Sequence, residues 1–372
     1  MLERKYSVMS ELDEIRLSIN KIDKEMAAAF TKRMELCGQV AEYKRSHGMQ
    51  VLDAGREREV LERNSAYVES EMLKPYYMQY MQSVMDISKR YQHRLLEGDR
   101  IAYSGIEGAF AGIAAKRIFP DGEAVSYKNF AAAYESVVKG DCDAAVLPIE
   151  NSYAGEVGQV MDLLFDGDLY VNGIYFLPIA QNLLAVKGAK LSDIRKVISH
   201  PQALDQCAEY IDKHGFERVT AENTARAARA VAEEGSLKIA AIASAETADL
   251  YGLEILDHDI NESAANTTKF AVVSRAQTAS GSAKEESTFM LMFTVRNEAG
   301  SLVKALDVIG RYGYNMRAVR SRPLKNLPFQ YYFYVEAEGR PKSEETRAML
   351  EELSEHCKRL KVLGSYMVEG NL

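Results

Sequence analysis

Tryptophan is absent from the 372 residues, and cysteine (4) and proline (8) are scarce. Cys37, Cys142, Cys207 and Cys357 form no C-x-x-C pair and no group with zinc-like spacing, so no metal site is expected. Widely scattered thiols suit a reducing cytoplasm. Positive charge is not in excess: 46 Lys and Arg against 54 Asp and Glu leave a net charge of -8. That balance argues against a general nucleic-acid binder. Neither an apolar leader nor a run of about 18 apolar residues occurs, so no secretion signal and no membrane span are expected. The expectation is a cytoplasmic protein. Hydrophobic residues make up 47% and charged residues 27%, as in soluble globular chains. The length allows two or three domains, each with its own core.

Three stretches differ in texture. Residues 1–97 hold one proline (Pro75) and three glycines (Gly38, Gly48, Gly55) and read as helix throughout. Leu12, Ile15, Ile19, Ile22 and Met26 step by three and four, the spacing of one buried helix face. That pattern predicts a long first helix ending near His47-Gly48. A second begins near Asp53, and a third carries Pro75 in its first turn. One long helix and two shorter ones cannot close a core alone, so pairing with a second copy is expected.

Residues 99–275 alternate short apolar runs (101–103, 144–147, 196–198, 238–242, 270–273) with Ala-rich helical stretches. This is βαβ logic and predicts mostly parallel sheets, in two lobes with a cleft at the carboxyl ends of the strands. A polar linker of small residues spans 276–286. Residues 287–372 then read β, α, β, β, α, β, a ferredoxin-like unit.

Polar residues on the predicted helices form a pattern. Arg16 and Asp23 lie seven apart and share a face of the first helix, and Arg33 and Lys44 lie eleven apart. Asp53, Arg56 and Glu57 open the second helix, and Ser88 and Gln92 sit four apart on the third. A single basic residue on a helix is normally a solvated charge. The whole set resembles the all-helical chorismate mutase family over residues 8–97. The resemblance implies that Arg16, Arg33, Lys44, Asp53, Arg56, Glu57, Ser88 and Gln92 are the catalytic set, with Arg16 supplied by a partner chain. Chorismate is a dianion that rearranges without proton transfer. Arginine forks suit its carboxylates, and Lys44 and Gln92 would donate to the ether oxygen as its C–O bond breaks.

The middle stretch carries Leu147-Pro148-Ile149-Glu150-Asn151-Ser152, Ser199-His200-Pro201-Gln202 and Asn266-Thr267-Thr268-Lys269-Phe270. These resemble three motifs of prephenate dehydratases, whose fold is two-lobed α/β and periplasmic-binding-protein-like. The resemblance implies that Thr268 acts on the leaving hydroxyl of prephenate. It places Glu150, Asn151, Ser152, Ser199, Gln206, Glu222, Thr224, Lys269 and Phe270 around substrate. On residue type alone, His200 reads as a helix-entry histidine and Cys207 as packing. The segment Gly105-Ile106-Glu107-Gly108-Ala109-Phe110-Ala111 departs from the family by lacking two hydroxyls, and Lys269 replaces an arginine.

Residues 287–370 resemble an ACT domain, an amino-acid-binding module. Gly300-Ser301-Leu302-Val303 and Arg320-Ser321-Arg322-Pro323 stand where that family binds its effector, with arginine at 320 in place of glutamate. Overall the chain resembles bifunctional chorismate mutase–prephenate dehydratases. That implies three domains (1–97, 99–275, 287–372), turnover of chorismate and then prephenate, no cofactor, and inhibition by phenylalanine. It also implies a homodimer or homotetramer. A monofunctional mutase with a degenerate dehydratase region, or a small-anion sensor without turnover, are the alternatives.

Overall fold

The computed structural model describes residues 11–49, 54–263, 265–277, 287–325, 327–339, 343–366 and 368–372. The chain divides into two compact units, Met1–Gly98 and Asp99–Leu372. The linker read at 276–286 lies outside the described residues from 278 onward.

The first unit is helical: α1 (Glu11–Ser46), α2 (Ala54–Ser65) and α3 (Lys74–Glu97). α1 stops just before Gly48, which takes φ +63°, and Pro75 occupies the first turn of α3. Gly38 of α1 faces Leu95 and Tyr91 of α3, and a Cβ there would make ordinary van der Waals contact with Leu95 at 3.5 Å. Met81, Val84 and Met85 of α3 are buried, and in α1 the buried residue is Ala41. The predicted apolar stripe exists but is uncovered within its unit. Leu12, Ile15, Ile19, Ile22 and Met26 are each 45–55% exposed.

The second unit begins with β1 (Arg100–Ser104), α4 (Phe110–Ile118), β2 (Glu123–Tyr127) and α5 (Phe130–Lys139). Next come β3 (Ala144–Asn151), β4 (Gly155–Glu156), α6 (Gly158–Asp166) and β5 (Tyr170–Pro178). The chain then crosses to a second lobe: β6 (Asn182–Ala185), β7 (Lys196–Ser199), α7 (Pro201–Gln206), α8 (Ala208–His214) and β8 (Glu217–Thr220). That lobe closes with α9 (Thr224–Glu234), β9 (Ile239–Ala243), α10 (Ala245–Tyr251) and β10 (Glu254–Asp257). The chain returns to the first lobe as β11 (Thr267–Ser274). Because β11 comes back from the other lobe, it runs antiparallel between β3 and β5. β6 and β10 are antiparallel for the same reason of passage, so the sheets are mixed rather than mostly parallel. Strand order is β5-β11-β3-β1-β2 in the first lobe and β10-β6-β9-β7-β8 in the second.

The C-terminal part runs β12 (Ser287–Val295), α11 (Ser301–Arg311), β13 (Asn315–Pro323), β14 (Tyr331–Gly339), α12 (Glu344–His356), β15 (Cys357–Tyr366) and β16 (Val368–Asn371). The first six elements are the expected βαββαβ order, with strands arranged β13-β14-β12-β15. The last was not expected: β16 leaves this sheet and pairs in parallel with β5 of the first lobe.

One face of the C-terminal sheet holds α11 and α12 around Phe289, Leu291, Phe293 and Val335. Its other face does not meet solvent. Met290, Met292, Tyr332, Tyr334 and Leu363 share a core with Leu147, Ile149, Val171, Ile174 and Ala271 of the first lobe. Strand alternation explains both cores, since neighbouring residues point to opposite faces. Phe165 stacks on Tyr332 with centroids 4.3 Å apart, and the Arg359 guanidinium lies 4.4 Å above Phe165. At Gly364 a Cβ would collide with the Val171 carbonyl, so only glycine permits this approach. Around the core, Arg322 pairs with Glu156 at 2.9 Å and with Asp162 at 3.2 Å. Burial works to raise the Asp162 carboxyl, but hydrogen bonds from Arg322, Lys325 and Tyr332 hold it below the usual carboxylate range. This contribution is present at neutral pH and lost as acid protonates Asp162.

Candidate active sites

In the helical unit, Arg33 reaches from α1 to donate a hydrogen bond to Ser88 Oγ on α3. Ser88 in turn donates to the Val84 carbonyl at 2.6 Å. One turn on, Gln92 is 8% exposed, and its Oε1 has no partner among the described residues. That oxygen is thus not consumed by the fold. Lys44 lies half-buried in the last turn of α1. Arg56 is exposed on α2, paired with Glu59 at 2.7 Å. Asp53 and the side chain of Glu57 lie outside the described residues. Arg16 is 65% exposed and 3.7 Å from Asp13. At about 1.5 Å per helical residue, Arg16 stands about 25 Å from Arg33 and about 42 Å from Lys44. It cannot join their site within one chain.

A cleft of about 350 Å³ separates the two lobes of the second unit. Its floor is Thr268 on β11 and Asn151 on β3, directly opposite each other in register. Asn151 Nδ2 donates to Thr268 Oγ1 at 3.0 Å and to Asn266 Oδ1 at 3.0 Å. Asn266 passes the chain on, donating to Gln206 Oε1 at 3.0 Å. Asn151 Oδ1 accepts from the amides of Tyr153 (3.0 Å) and Ala154 (2.9 Å) and from Gln202 Nε2 (3.2 Å). Every polar atom of Asn151 is therefore used to orient it. Thr268 Oγ1 thus accepts from Asn151, and its own proton is not used in that bond. A β-bulge supports this arrangement. β3 has an extra residue between Glu150 and Pro148 relative to β11, which lets both Asn151 and Pro148 face the cleft.

Thr224, Gln206 and Phe270 also line the cleft, as expected. Other assignments are corrected. Ser199 is fully buried and donates to the Ile242 carbonyl at 2.6 Å, joining β7 to β9. Ser152 donates to the Ala265 carbonyl at 3.1 Å and accepts from Thr267 N at 2.9 Å, bracing the loop. Glu222 is exposed and pairs with Arg226 at 3.1 Å. Lys269 and Glu150 face away from Thr268, on the side of the first-lobe sheet covered by the C-terminal sheet. There Lys269 pairs with Glu336, and Glu150 pairs with Arg320 at 2.5 Å. Arg320 therefore faces the Glu150 carboxylate of the first lobe. Arg322 likewise faces Glu156 and Asp162.

Three polar lining residues, Gln181, Gln202 and Asn223, were not singled out from sequence, nor was Asn266, which holds Asn151 from behind. Gln202 and Asn266 sit inside motifs already quoted, next to the residues chosen. Gln181 has no motif signal. It is 2% exposed in the crossing between lobes, and its Oε1 has no partner among the described residues. His200 lines the cleft and caps α7, its Nδ1 accepting from Gln202 N at 3.2 Å. Burial lowers its pKa, so the ring is neutral at pH 7.

The two units match different known families. The family model for chorismate mutase type II matches residues 15–93, and that for prephenate dehydratase matches residues 101–278. The bifunctional chorismate mutase/prephenate dehydratase of Escherichia coli K12 is 31% identical over 96% of each chain. The chain belongs to the bifunctional chorismate mutase/prephenate dehydratase family. It isomerises chorismate to prephenate and converts prephenate to phenylpyruvate, two steps of phenylalanine biosynthesis. Arogenate dehydratase/prephenate dehydratase 2 of Arabidopsis thaliana is 36% identical over 73% of this chain and 74% of its own. A prephenate dehydratase from Arthrobacter aurescens, solved in complex with L-Phe, is 27% identical, with a TM-score of 0.66 over 72% of this chain and 89% of that one.

For this family's second substrate the cleft has a distinctive charge. Prephenate is a dianion, yet among the described residues lining the cleft none is lysine or arginine. The described polar lining is amide and hydroxyl side chains together with His200. α4 starts at the cleft with no side-chain cap at Ala109, so its first-turn amides are unclaimed by a side chain. The two hydroxyls missing at Ala109 and Ala111 leave an apolar wall beside those amides.

Proposed function

We propose that Thr268 is the residue that releases the prephenate hydroxyl. The observation supporting it is the Asn151–Thr268 hydrogen bond at 3.0 Å, which does not use the Thr268 proton. In the reaction the carboxylate carbon leaves as carbon dioxide, and its bonding pair enters the ring. The C–O bond breaks at the far ring carbon, and the oxygen departs as water after taking up a proton. Thr268 donates to that oxygen as it gains charge, and the replacement proton comes from solvent. A hydroxyl that accepts one hydrogen bond is a better donor for the next. Gln206 and Thr224 position substrate beside it, and Asn151 holds Thr268 in place. Turnover of supplied prephenate by Thr268 variants tests the assignment.

For the mutase, Arg33, Lys44, Ser88 and Gln92 of one chain hold chorismate together with Arg16 of a second chain. The separation along α1 and the uncovered stripe from Leu12 to Met26 both support a helical homodimer. Mixing Arg16→Ala with Lys44→Ala protein checks this. Each variant alone is expected to be nearly inactive, and mixed dimers should regain mutase activity through one site carrying neither change. Absence of recovery after subunit exchange would exclude a shared site.

The C-terminal sheet is an ACT domain, and phenylalanine bound to it inhibits. Gly300, at φ +81° before α11, and the half-exposed Ser301 and Leu302 support an effector site there. So does L-Phe in the Arthrobacter relative. With Arg320 held by Glu150, binding rests on backbone groups near Gly300 and the outward-facing Ser321 and Pro323. Val303 lies at its rim. Calorimetry of the full chain with phenylalanine is expected to show binding, which Gly300→Val abolishes. Heatless titration and no inhibition at millimolar phenylalanine would leave the domain as a brace. The scattered thiols and acidic balance fit a cytoplasmic enzyme.

A further inference from the structure

Two ion pairs join the C-terminal sheet to the residues next to Asn151 and Thr268. On β11, Thr268 faces the cleft and Lys269 faces backward. On β3, Asn151 faces the cleft and Glu150 faces backward, directly opposite Lys269 in register. Lys269 Nζ donates to Glu336 Oε1, with the two side chains 12% and 9% exposed. Tyr334, 2% exposed, donates its hydroxyl to the same carboxylate oxygen. Arg320 Nη2 donates to Glu150 Oε1 at 2.5 Å. Glu336 and Arg320 stand on adjacent strands, β14 and β13, of one sheet.

We infer that Glu336, with Arg320, is a positioning residue for the dehydratase: the C-terminal sheet fixes Thr268 and Asn151 by gripping the residues behind them. This rests on Thr268 as the reacting residue. A backbone held by both its cleft-facing and its rear-facing side chain has little freedom to shift register. A displacement of well under 1 Å at Lys269 moves the Thr268 hydroxyl relative to the substrate oxygen, and catalysis is sensitive to such displacements. Effector binding that moves the C-terminal sheet acts on the same two pairs, so inhibition reaches the cleft without blocking it. Lys269 in this role is no substrate ligand, which agrees with a cleft free of cations among its described lining.

The test uses the full chain and supplied prephenate. Glu336→Gln keeps the shape and the Tyr334 hydrogen bond but removes the charge that holds Lys269. It is expected to lower kcat at least about fivefold, with KM changed less than about twofold. Arg320→Ala is expected to act in the same direction. The exchange Lys269→Glu with Glu336→Lys should recover kcat well above either single variant. Thermal unfolding of each variant separates loss of fold from loss of rate. Wild-type kcat in both Glu336→Gln and Lys269→Met would overturn the inference. So would raised KM at unchanged kcat, which would return Lys269 to the substrate. An active Thr268→Ala would instead remove the reading beneath it, whatever the Glu336 variants show.

Discussion

Thr268→Ala is expected to stop phenylpyruvate formation while chorismate is still consumed and prephenate accumulates. Asn151 donates to the Thr268 oxygen, so the lost group is a hydroxyl whose own proton that bond does not use. Removing a donor aimed at developing oxygen charge costs about 100-fold or more in turnover, or about 2.7 kcal/mol of transition-state stabilisation. Thr268→Ser should keep part of the rate, because the hydroxyl and its acceptor role survive. Mutase turnover should be unaffected, since it belongs to the other compact unit. Near-normal dehydratase activity in Thr268→Ala would make Thr268 structural, and the orientation network would need another purpose.

Lys44→Ala is expected to lower mutase turnover by about 100-fold or more, leaving dehydratase activity on supplied prephenate intact. The Claisen shift needs no base, so the protein contributes shape and positive charge. Lys44 and Gln92 are the donors assigned to the ether oxygen. That charge matters more as the bond breaks than before, so the loss should appear mainly in kcat. Gln92 is buried one turn from Ser88, so a donor hydrogen from its Nε2 would act out of bulk water. An active Lys44→Ala enzyme would sink the assignment.

The helices and most strands were legible from periodicity, glycine and proline. α1 ends at Ser46 beside His47-Gly48, and the Leu12–Met26 stripe lies on one face as its spacing requires. The motifs gave Thr268 and Asn151, and the family resemblance added Gln206 and Thr224. Two of the failures, Lys269 and Glu150, share one physical source. A motif is contiguous in sequence, but a strand sends successive side chains to opposite faces. Thr268 and Lys269 could never share the cleft, nor could Glu150 join Asn151 there. Alternation alone would have separated them. Ser199 follows a different logic: it sits at the end of β7, where its hydroxyl satisfies a buried carbonyl of β9. Arg320 could not have been placed from sequence. Its partner Glu150 is 170 residues away and is brought near only by the packing of two sheets. Gln181 and β16 left no pattern at all, since one is a lone amide and the other a short tail.

The path of the chain through the first lobe also sets an order of assembly. β11 lies between β3 and β5, so that sheet cannot join until residue 274 has been synthesised. The second lobe, continuous from β6 to β10, has all its strands by residue 257. It can therefore form while β1, β2, β3 and β5 wait unpaired with their central strand. Even then β5 keeps one open edge until residues 368–371 arrive as β16. An open edge is a template for pairing with other chains. A nascent polypeptide stalled or cut after the dehydratase region would thus carry Thr268 and every cleft residue yet expose β5 along its length. Its hazard would be aggregation before it was inactivity.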